Sequence, residues 1–402
     1  MIPFSPPKMY PEIIAEVIDT LNSGWITTGP KTKKLERELA DYVGGPKVIC
    51  LNSATIGMEL LLRWFGIEEG DEVIIPSYTY CATGNVILHC GAKPIMADIT
   101  DDFNIDINDV RSKITSKTKA IIPVDIGGLP CDFDELNQLI RSEDINPLFN
   151  PKSEEQKMLG RILLMSDAAH SLGALYKGKS VGTEADATVF SFHAVKNLTT
   201  AEGGAVVLNL PAPFDNEEIY TKLNIKSLHG QSKDALAKTK GNWRYDVTEP
   251  GFKGNMTDIL ASMGLVELKR YNSETLPRRK EIFNQYVDAF KDESWAQVPS
   301  YESCKKTSSY HLFMLRIKDI SESQRDLIID GIFNQDVSVN VHFQPLPMLS
   351  LYKGLGFKME DYPVAFDNYS REISLPVYFD LSTDQVETVI AAVKKVVQKV
   401  IG

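Results

Sequence analysis

Several patterns that would indicate a metal, redox, secreted or membrane protein are missing from this 402-residue sequence. Its five cysteines show no CxxC spacing, which argues against a metal site or a dithiol motif and favours a reducing compartment. The N-terminus has no basic segment followed by an apolar one, and no apolar run is long enough to span a bilayer. We therefore expect a cytoplasmic protein with no bound metal and no membrane partner.

An excess of positive charge is also absent, because the formal net charge is −11 at pH 7. A protein whose main partner is nucleic acid would need a basic face, so nucleic acid is not an expected partner. The acidic balance still allows a small phosphate ligand, since helix N-termini and loop amides bind phosphate locally. We therefore expect small-molecule substrates.

Short apolar runs alternate with helical patterns over much of the first half of the chain. Strands are predicted at Val48–Leu51, Glu72–Ile75, Pro94–Ala97, Ala120–Val124, Ile162–Met165, Ala187–Phe192 and Ala205–Leu208. Helices are predicted between several of them, at Ile56–Phe65, Asp106–Ile114 and Asp132–Ile140. This alternation indicates an α/β domain with a mostly parallel sheet, in which ligands bind at the carboxyl ends of the strands.

The remaining segments predict an N-terminal extension of that domain and a smaller α+β domain after it. Further helices are predicted at Pro11–Leu21, Thr32–Val43, Met256–Tyr271 and Thr383–Val400, and further strands at Phe313–Ile317 and Val337–Phe343. Residues 142–160 have the character of a surface insertion, and residues 209–250 are polar and irregular. We expect a large domain over 1–265 and a small C-terminal domain over 266–402.

A lysine lies between two of the predicted strands, Ala187–Phe192 and Ala205–Leu208. Lys196 is in a loop rich in Ser, His, Asn and Thr, and Gly203 and Gly204 open the second strand. A loop lysine is usually solvated. Desolvation at this position would instead lower its pKa and make it a nucleophile toward carbonyl groups. We therefore predict that Lys196 carries a Schiff base.

Other polar residues follow other predicted strands, and each has an ordinary structural explanation when taken alone. The segment Asn52–Thr55 opens a helix and suits a phosphate, but it is also typical of a plain N-cap. Asp167 could keep a ring nitrogen protonated or merely cap a helix, and His170 could be structural. Tyr80 could stack on a flat ring or belong to the core. Together with Lys196, these residues supply the parts of a pyridoxal 5′-phosphate (PLP) site.

The motifs of the chain resemble those of the DegT/DnrJ/EryC1/StrS family of PLP-dependent nucleotide-sugar aminotransferases. The matching segments are GWITTGP (24–30), GDEVIIPSYTYCAT (70–83), GAKPIMADI (91–99), DIGGLPCD (125–132), DAAHSLGA (167–174), SFHAVKNLTTAEGG (191–204), LHG (228–230), GFKGNMTDILASMGL (251–265), SSYHLF (308–313), VHFQP (341–345) and ISLP (373–376). The SAT, DAAH, SFHAVKN and KGNMTD motifs are most similar to the UDP-4-amino-4-deoxy-L-arabinose aminotransferase-like branch, which acts on C4-keto nucleotide sugars.

The resemblance implies fold type I, with a seven-stranded large domain and a homodimer whose two active sites lie at the interface. It implies that Lys196 forms the Schiff base with PLP and that Asp167 pairs with the pyridine nitrogen. The other implied roles are His170 near the O3′ side of the ring, Tyr80 stacked on the ring, Ala54, Thr55 and Ser191 on the phosphate, Asn255 on the phosphate of the other subunit's cofactor, and His193 close to the lysine and the substrate.

The activity implied by the resemblance is ping-pong transfer of an amino group from L-glutamate to a 4-keto nucleotide-linked deoxysugar, for surface polysaccharide or related glycan synthesis. A 3-keto sugar aminotransferase is the first alternative. A regulatory protein that binds PLP without turnover is the second, although the presence of both Lys196 and Asp167 argues against it. Two departures from the family pattern are Pro347, where many members have a second histidine, and the long connection at 142–160. The nucleotide and the sugar stay open.

Overall fold

The computed structural model describes residues 1–232 and 244–402 as an α/β protein. Its strands are β1 (Lys47–Leu51), β2 (Glu72–Pro76), β3 (Lys93–Ala97), β4 (Thr118–Ile121), β5 (Leu163–Asp167), β6 (Leu175–Tyr176), β7 (Lys179–Ser180), β8 (Ala187–Ser191), β9 (Gly204–Leu208), β10 (Ala296–Gln297), β11 (Lys306–Thr307), β12 (Phe313–Ile317) and β13 (Glu372–Leu375). Its helices are α1 (Pro11–Ser23), α2 (Pro30–Val43), α3 (Ala54–Trp64), α4 (Cys81–His89), α5 (Ile107–Lys113), α6 (Phe133–Ile140), α7 (Glu154–Leu159), α8 (Asn216–Ser227), α9 (Asp258–Arg270), α10 (Leu276–Phe290), α11 (Glu322–Phe333), α12 (Ser350–Gly354), α13 (Pro363–Arg371) and α14 (Thr383–Ile401).

The central sheet has seven strands in the order β1-β9-β8-β5-β4-β2-β3. Strand β9 runs antiparallel to β1 and β8, and the other neighbouring strands run parallel. Most residues of these strands are buried, as expected for a sheet covered by helices on both faces. The prediction of an α/β fold with a seven-stranded, mostly parallel sheet is confirmed.

Local sequence signals explain where several helices begin and end. Helix α3 starts after Ser53, whose side chain accepts a hydrogen bond from the Ile56 N–H. Helix α14 starts with a capping box formed by Ser382 and Gln385. Helix α1 begins with a proline and ends at Gly24, which adopts the left-handed conformation that glycine tolerates best.

Some elements differ from the prediction. The strand predicted at Val337–Phe343 is wrong, because in the described residues this segment pairs only through single bridges of Val337 with Ile2 and of Asn340 with Ser374. The segment instead runs along the cavity described below. The stretch 209–250 is not irregular throughout, since it contains α8, a largely polar helix whose few buried residues hide its period. Residues 233–243 of that stretch lie outside the described part of the chain.

The surface insertion at 142–160 packs against the end of α3. It contains helix α7, and its Gln156 is fully buried. The Gln156 Nε2 donates hydrogen bonds to the carbonyl oxygens of Phe65 at 3.0 Å and Gly66 at 3.2 Å. Because these carbonyls follow the last turn of α3, the insertion satisfies acceptors that the helix leaves unpaired.

The buried hydrophobic residues form two clusters. The larger surrounds the central sheet, and the smaller packs α10, α11 and α14 against β12 and β13. The predicted boundary between residues 265 and 266 falls inside the continuous helix α9. The division into two domains at that point stays a prediction. In the part of the chain that the structure describes, no helix combines the length and apolar character needed to cross a bilayer.

Candidate active site

A cavity of about 530 Å³ opens where strands β1, β2, β5 and β8 end. The loops that follow these strands supply part of its wall, because the carboxyl ends of strands that run in the same direction lie at the same edge of a sheet. The predicted site residues that line it are Ala54, Thr55, Tyr80, Asp167, His170, Ser191, His193 and Lys196. The structure thus brings together all but one of the residues singled out from the sequence, and Asn255 is the exception.

The first turn of α3 forms one end of the cavity. Ser53, Ala54 and Thr55 line it, next to Ser191 at the end of β8. The N–H groups of a first helical turn have no partner within the helix, so they are available to an anion. Gly204 lets this turn approach β9 closely, because a Cβ at Gly204 would lie 2.4 Å from the Ala54 nitrogen. Ser53 both caps α3 and lines the cavity.

Asp167 lies at the end of β5, with 6% of its surface exposed. Its Oδ2 accepts a 2.8 Å hydrogen bond from the Thr83 hydroxyl, and its Oδ1 accepts one of 3.2 Å from the Ala169 N–H. Burial raises the pKa of the Asp167 carboxyl, while these two hydrogen bonds and the positive charge of Lys196 oppose that rise. The carboxylate is thus positioned to face a positive group in the cavity.

Lys196 lies in the loop that joins β8 to β9. Its backbone N–H donates to the His193 carbonyl at 2.9 Å, which holds the residue in a tight turn. Burial lowers the pKa of the Lys196 amine to about 8, although Asp167 opposes this change. An amine with this pKa is partly uncharged at neutral pH, as a nucleophile or a general base requires.

Two histidines pack together on another wall. The rings of His170 and His311 lie 4.4 Å apart, and burial lowers the pKa of both well below the ordinary value. The Gly127 N–H donates to His170 Nδ1 at 3.3 Å, so a neutral His170 carries its proton on Nε2. His311 Nδ1 lies 2.8 Å from the Asn197 Oδ1, which can only accept, so His311 carries its proton on Nδ1. The sequence reasoning assigned no role to His311 or Asn197.

A further part of the lining comes from residues 340–343, which follow α11 in the chain. His342 and Phe343 line the cavity, and the Phe343 ring lies 5.8 Å from the rings of both Tyr80 and His170. Tyr80 is 60% exposed, so it is not a core residue. Phe4 of the N-terminal arm stacks on His342 at 5.3 Å. The motif VHFQP is part of the family resemblance, but its aromatic contacts depend on the tertiary fold.

Two of the predicted site residues, His193 and Asn255, are less closely associated with the cavity than the others. His193 is about half exposed and lies 3.7 Å from the Glu202 Oε1. Asn255 lies outside the cavity, where its Nδ2 donates to the Thr28 hydroxyl at 2.6 Å and its Oδ1 accepts from the Lys253 amine at 2.6 Å. Its implied role at a second subunit's cofactor stays a prediction.

The donor set of this cavity fits PLP. A phosphate would meet the N-terminus of α3, which Gly204 allows to lie close against β9. The buried Asp167 carboxylate suits a protonated ring nitrogen, and the Lys196 amine suits the aldehyde carbon. A helix N-terminus suited to phosphate, a carboxylate and an amine line one cavity, and these are the three features that such a cofactor needs.

Comparisons with known proteins agree with this chemistry. A model of the DegT/DnrJ/EryC1/StrS aminotransferase family matches residues 7–149 and 156–394, and the gap falls within the surface insertion. An uncharacterized protein of Methanocaldococcus jannaschii, MJ1066, is 42% identical over 394 residues, covering 96% of this chain and 95% of that protein. The spore coat polysaccharide biosynthesis protein SpsC of Bacillus subtilis is 36% identical over 403 residues, covering 99% and 97%.

Solved structures extend the agreement to the whole fold. Spr1654 of Streptococcus pneumoniae, provisionally named a sugar aminotransferase, superposes in its PMP form with a TM-score of 0.96 at 48% identity, covering 100% of both chains. Its PLP form gives a TM-score of 0.95 at 46% identity. The sheet topology and these superpositions identify the fold as that of PLP-dependent aminotransferases of fold type I. Because the family model matches most of the chain and both sequence relatives align over nearly its full length, this protein belongs to the DegT/DnrJ/EryC1/StrS aminotransferase family.

Proposed function

We propose that this protein is a PLP-dependent aminotransferase that moves an amino group from L-glutamate to a 4-keto nucleotide-linked deoxysugar. The observation that carries the proposal is that Lys196, the buried Asp167 and the first turn of α3 line one cavity in a member of an aminotransferase family. The names of Spr1654, a sugar aminotransferase, and SpsC, a spore coat polysaccharide protein, support a sugar substrate. The product would enter surface polysaccharide or related glycan synthesis.

The chain has residues suited to hold the cofactor. PLP, when bound, supplies a carbonyl carbon that takes up amines and a ring that stores electrons. Ala54 and Thr55 would bind its phosphate with N–H groups and a hydroxyl, together with Ser191. Asp167 would keep the proton on the ring nitrogen. Tyr80 would flank the ring, and His170 would lie near its hydroxyl oxygen.

Lys196 would act as the general base and general acid of the reaction. Because burial lowers the pKa of its amine to about 8, Lys196 can take a proton from the substrate carbon that bears the transferred nitrogen and hold it for return. Asp167 limits that lowering, which leaves the amine able to carry a proton as well. His193 lies in the same loop, three residues before Lys196, and would contact the substrate. Since both substrates would use one cavity in turn, we expect ping-pong kinetics.

A panel of nucleotide-linked 4-keto and 3-keto sugars, assayed for glutamate-dependent amination, tests the substrate. We expect amination of a 4-keto sugar and parallel lines in a two-substrate rate matrix. Preferred amination of a 3-keto sugar would support the first alternative and overturn the 4-keto assignment. Tight PLP binding with no turnover of any sugar would support the regulatory alternative.

The variant Lys196→Ala tests the site itself. We expect its visible cofactor absorbance to be lost and its turnover to fall by about a thousandfold or more, because nucleophile and base are removed together. The matched control is Lys222→Ala, which removes a half-exposed lysine paired with Glu218 on α8. Full activity in Lys196→Ala would contradict the whole site assignment.

The proposed enzyme would be a cytoplasmic homodimer with shared active sites. Ile14, Ile18 and Leu21 of α1 are each more than half exposed and lie at helical spacing, which favours a covering partner. A second copy of the chain is the partner that the family resemblance implies. Asn255 would then reach the phosphate of the cofactor bound by that copy.

A further inference from the structure

Three hydrogen-bonded side chains lead from the cavity into the core. His342 lines the cavity, and its Nδ1 lies 2.9 Å from the Ser374 hydroxyl oxygen. The same hydroxyl donates to the Glu372 Oε1 at 2.5 Å, and the Glu372 Oε2 accepts the His342 backbone N–H at 3.1 Å. Glu372 and Ser374 are fully buried and lie two residues apart on β13, so both side chains point to the same face of the strand. They thereby form a continuous chain of three groups.

The single proton of the Ser374 hydroxyl allows this chain only two arrangements when His342 is neutral. If Glu372 is ionised, Ser374 donates to it and accepts from His342 Nδ1–H, which leaves Nε2 without a proton. If Glu372 is protonated on Oε1, the two bonds of the Ser374 hydroxyl reverse: Glu372 donates to Ser374, Ser374 donates to Nδ1, and Nε2 carries the ring proton. Nδ1 faces Ser374 in both cases. Within the described residues, Nε2 is therefore the ring nitrogen left for a group in the cavity.

Burial shifts the pKa values of His342 and Glu372, the two ends of this chain, in opposite directions. It lowers the pKa of the His342 imidazole to about 3 and raises the pKa of the Glu372 carboxyl to about 8. A proton taken up at Nε2 therefore neutralises Glu372 rather than leaving a buried imidazolium. The other titratable groups coupled to the pair are Arg316 of β12, Arg325 of α11, Tyr78 after β2, His170 after β5, Lys196 after β8 and His311 just before β12.

We propose that Glu372, Ser374 and His342 form a proton relay, in which His342 is a catalytic acid and base and the other two are positioning residues. The inference rests on the proposed function for the identity of the reaction. When the keto oxygen of a substrate leaves as water, its C–O bond electrons stay on the oxygen and a C=N bond forms from the nitrogen lone pair of the attacking amine. The oxygen collects two protons, and the amine loses two.

The relay supplies one of these protons and is then restored. His342 Nε2–H gives its proton to the departing oxygen, Nδ1 takes one from Ser374, and Ser374 takes one from Glu372. Nε2 then takes up the second proton lost by the amine, Nδ1 gives its proton to Ser374, and Ser374 gives one to Glu372. The relay therefore shows no net change. The first amine proton reaches the oxygen directly. The reverse sequence serves the hydrolysis that releases the keto acid.

The tautomer of His342 tests the relay without any turnover. We would label the histidines of the full-length holoenzyme with ¹⁵N, assign His342 by loss of its signals in His342→Gln, and follow the imidazole resonances from about pH 6.5 to about pH 9. We expect the proton to shift from Nε2 to Nδ1 as Glu372 ionises, and we expect no shift in Ser374→Ala. An unchanged tautomer in the parent, or the same shift in Ser374→Ala, would overturn the relay.

Kinetics provide the second readout. We expect the parent to lose activity as Glu372 ionises at alkaline pH. We expect Ser374→Ala to lower kcat about 10- to 100-fold with KM changed less than about threefold, and to lack this alkaline loss. Ser370→Ala is the matched control, since Ser370 is also a buried serine but bonds to the Asp367 carbonyl. We expect it to retain the parent kcat and pH profile. Equal kcat and equal pH profiles in Ser374→Ala and the parent would refute the relay.

The two proposals can fail separately. If the parent protein aminates no keto sugar, the proposed function fails, and the tautomer shift still decides whether the relay exists. If the parent aminates a keto sugar while Ser374→Ala behaves like the parent in both readouts, the relay fails and the proposed function stands.

Discussion

The Thr83 hydroxyl donates a 2.8 Å hydrogen bond to Asp167 Oδ2, and the Thr79 hydroxyl oxygen lies 3.0 Å from that of Thr83. Because Thr83 uses its only proton on the carboxylate, Thr79 must donate to Thr83. Two hydroxyls in series and the Ala169 N–H therefore support a charged Asp167 at a position where burial raises its pKa. The ionisation of Asp167 thus depends on Thr83 of α4 and on Thr79, which precedes that helix.

Replacing Thr83 with valine removes this support while keeping the shape of the side chain. We expect the pKa of Asp167 to rise and PLP to bind about tenfold more weakly, since a hydrogen bond to a charged group is worth about 1.5–3 kcal/mol. The cofactor dissociation constant and the pH dependence of its visible absorbance are the measurements. Thr83→Ser keeps the donor and should behave like the parent. Equal cofactor binding in Thr83→Val and the parent would contradict this view of Asp167.

Gly204→Ala tests the close approach of α3 to β9. The new Cβ would lie 2.4 Å from the Ala54 nitrogen and 2.6 Å from the Ser53 carbonyl carbon, so the first turn of α3 must move. We expect a loss of about 1–3 kcal/mol of stability and weaker binding of PLP and of inorganic phosphate. Thermal unfolding and phosphate titration measure these changes.

Gly354→Ala is the control for that variant. Gly354 has no atom within 4 Å of an added Cβ, so its substitution should change neither stability nor phosphate binding. Normal phosphate binding in a folded Gly204→Ala would show that the first turn of α3 does not bind the phosphate.

Asp125→Asn should change how stability depends on pH. Asp125 is fully buried, accepts hydrogen bonds from Ser171 and Cys131, and has its pKa raised to about 7 by burial. The folded protein therefore keeps a proton between about pH 4 and pH 7 that the unfolded chain has lost, so the free energy of unfolding falls over this range as the pH rises. We expect the parent to lose roughly 3 kcal/mol more than the variant between about pH 5 and pH 8.

Urea unfolding at several pH values measures this difference. Asp41→Asn, which replaces an exposed carboxylate on α2, should follow the parent. A parallel pH dependence in Asp125→Asn and the parent would mean that Asp125 does not hold its proton to neutral pH.

The strand ends could be predicted from the sequence because they depend on local patterns. Apolar runs followed by polar residues identified the positions of Asp167 and Lys196, and the parallel topology then required their loops to meet. Helix α4 was missed because its apolar residues lack a clear helical period. Its Gly84 is required by a distant contact, since an added Cβ would lie 2.3 Å from the Tyr352 hydroxyl.

The partners of the site residues were beyond sequence reasoning for a different reason. Thr83 bonds to a carboxylate 84 positions later, and Asn197 bonds to a histidine 114 positions later. No local period or spacing reports such pairs, because each is created by the packing of separate elements. The same holds for Ser374 and His342, whose contact is 32 positions apart. Sequence thus predicted eight of the residues that line the cavity, and the fold was needed to add His311, His342 and Phe343 and to show what orients the site.

The exposed face of α1 gives a test of the expected homodimer. Ile14, Ile18 and Leu21 lie within about 60° of one another around the helix, and each is more than half exposed. A charged side chain at the centre of an apolar interface would be desolvated without a partner, which costs several kcal/mol. We therefore expect Ile18→Lys to shift the protein toward monomer in sedimentation or light scattering.

Ser23→Lys is the matched control, because Ser23 is also exposed on α1 but lies about 140° around the helix from Ile18. It should leave the parent's assembly unchanged. If Asn255 binds the cofactor of a second subunit, Ile18→Lys should also bind PLP more weakly than the parent, and the loss should grow as dilution shifts the variant further toward monomer. A dimer that survives in Ile18→Lys with full cofactor affinity would show that this face of α1 is not the interface, and the apolar stripe would then need another partner.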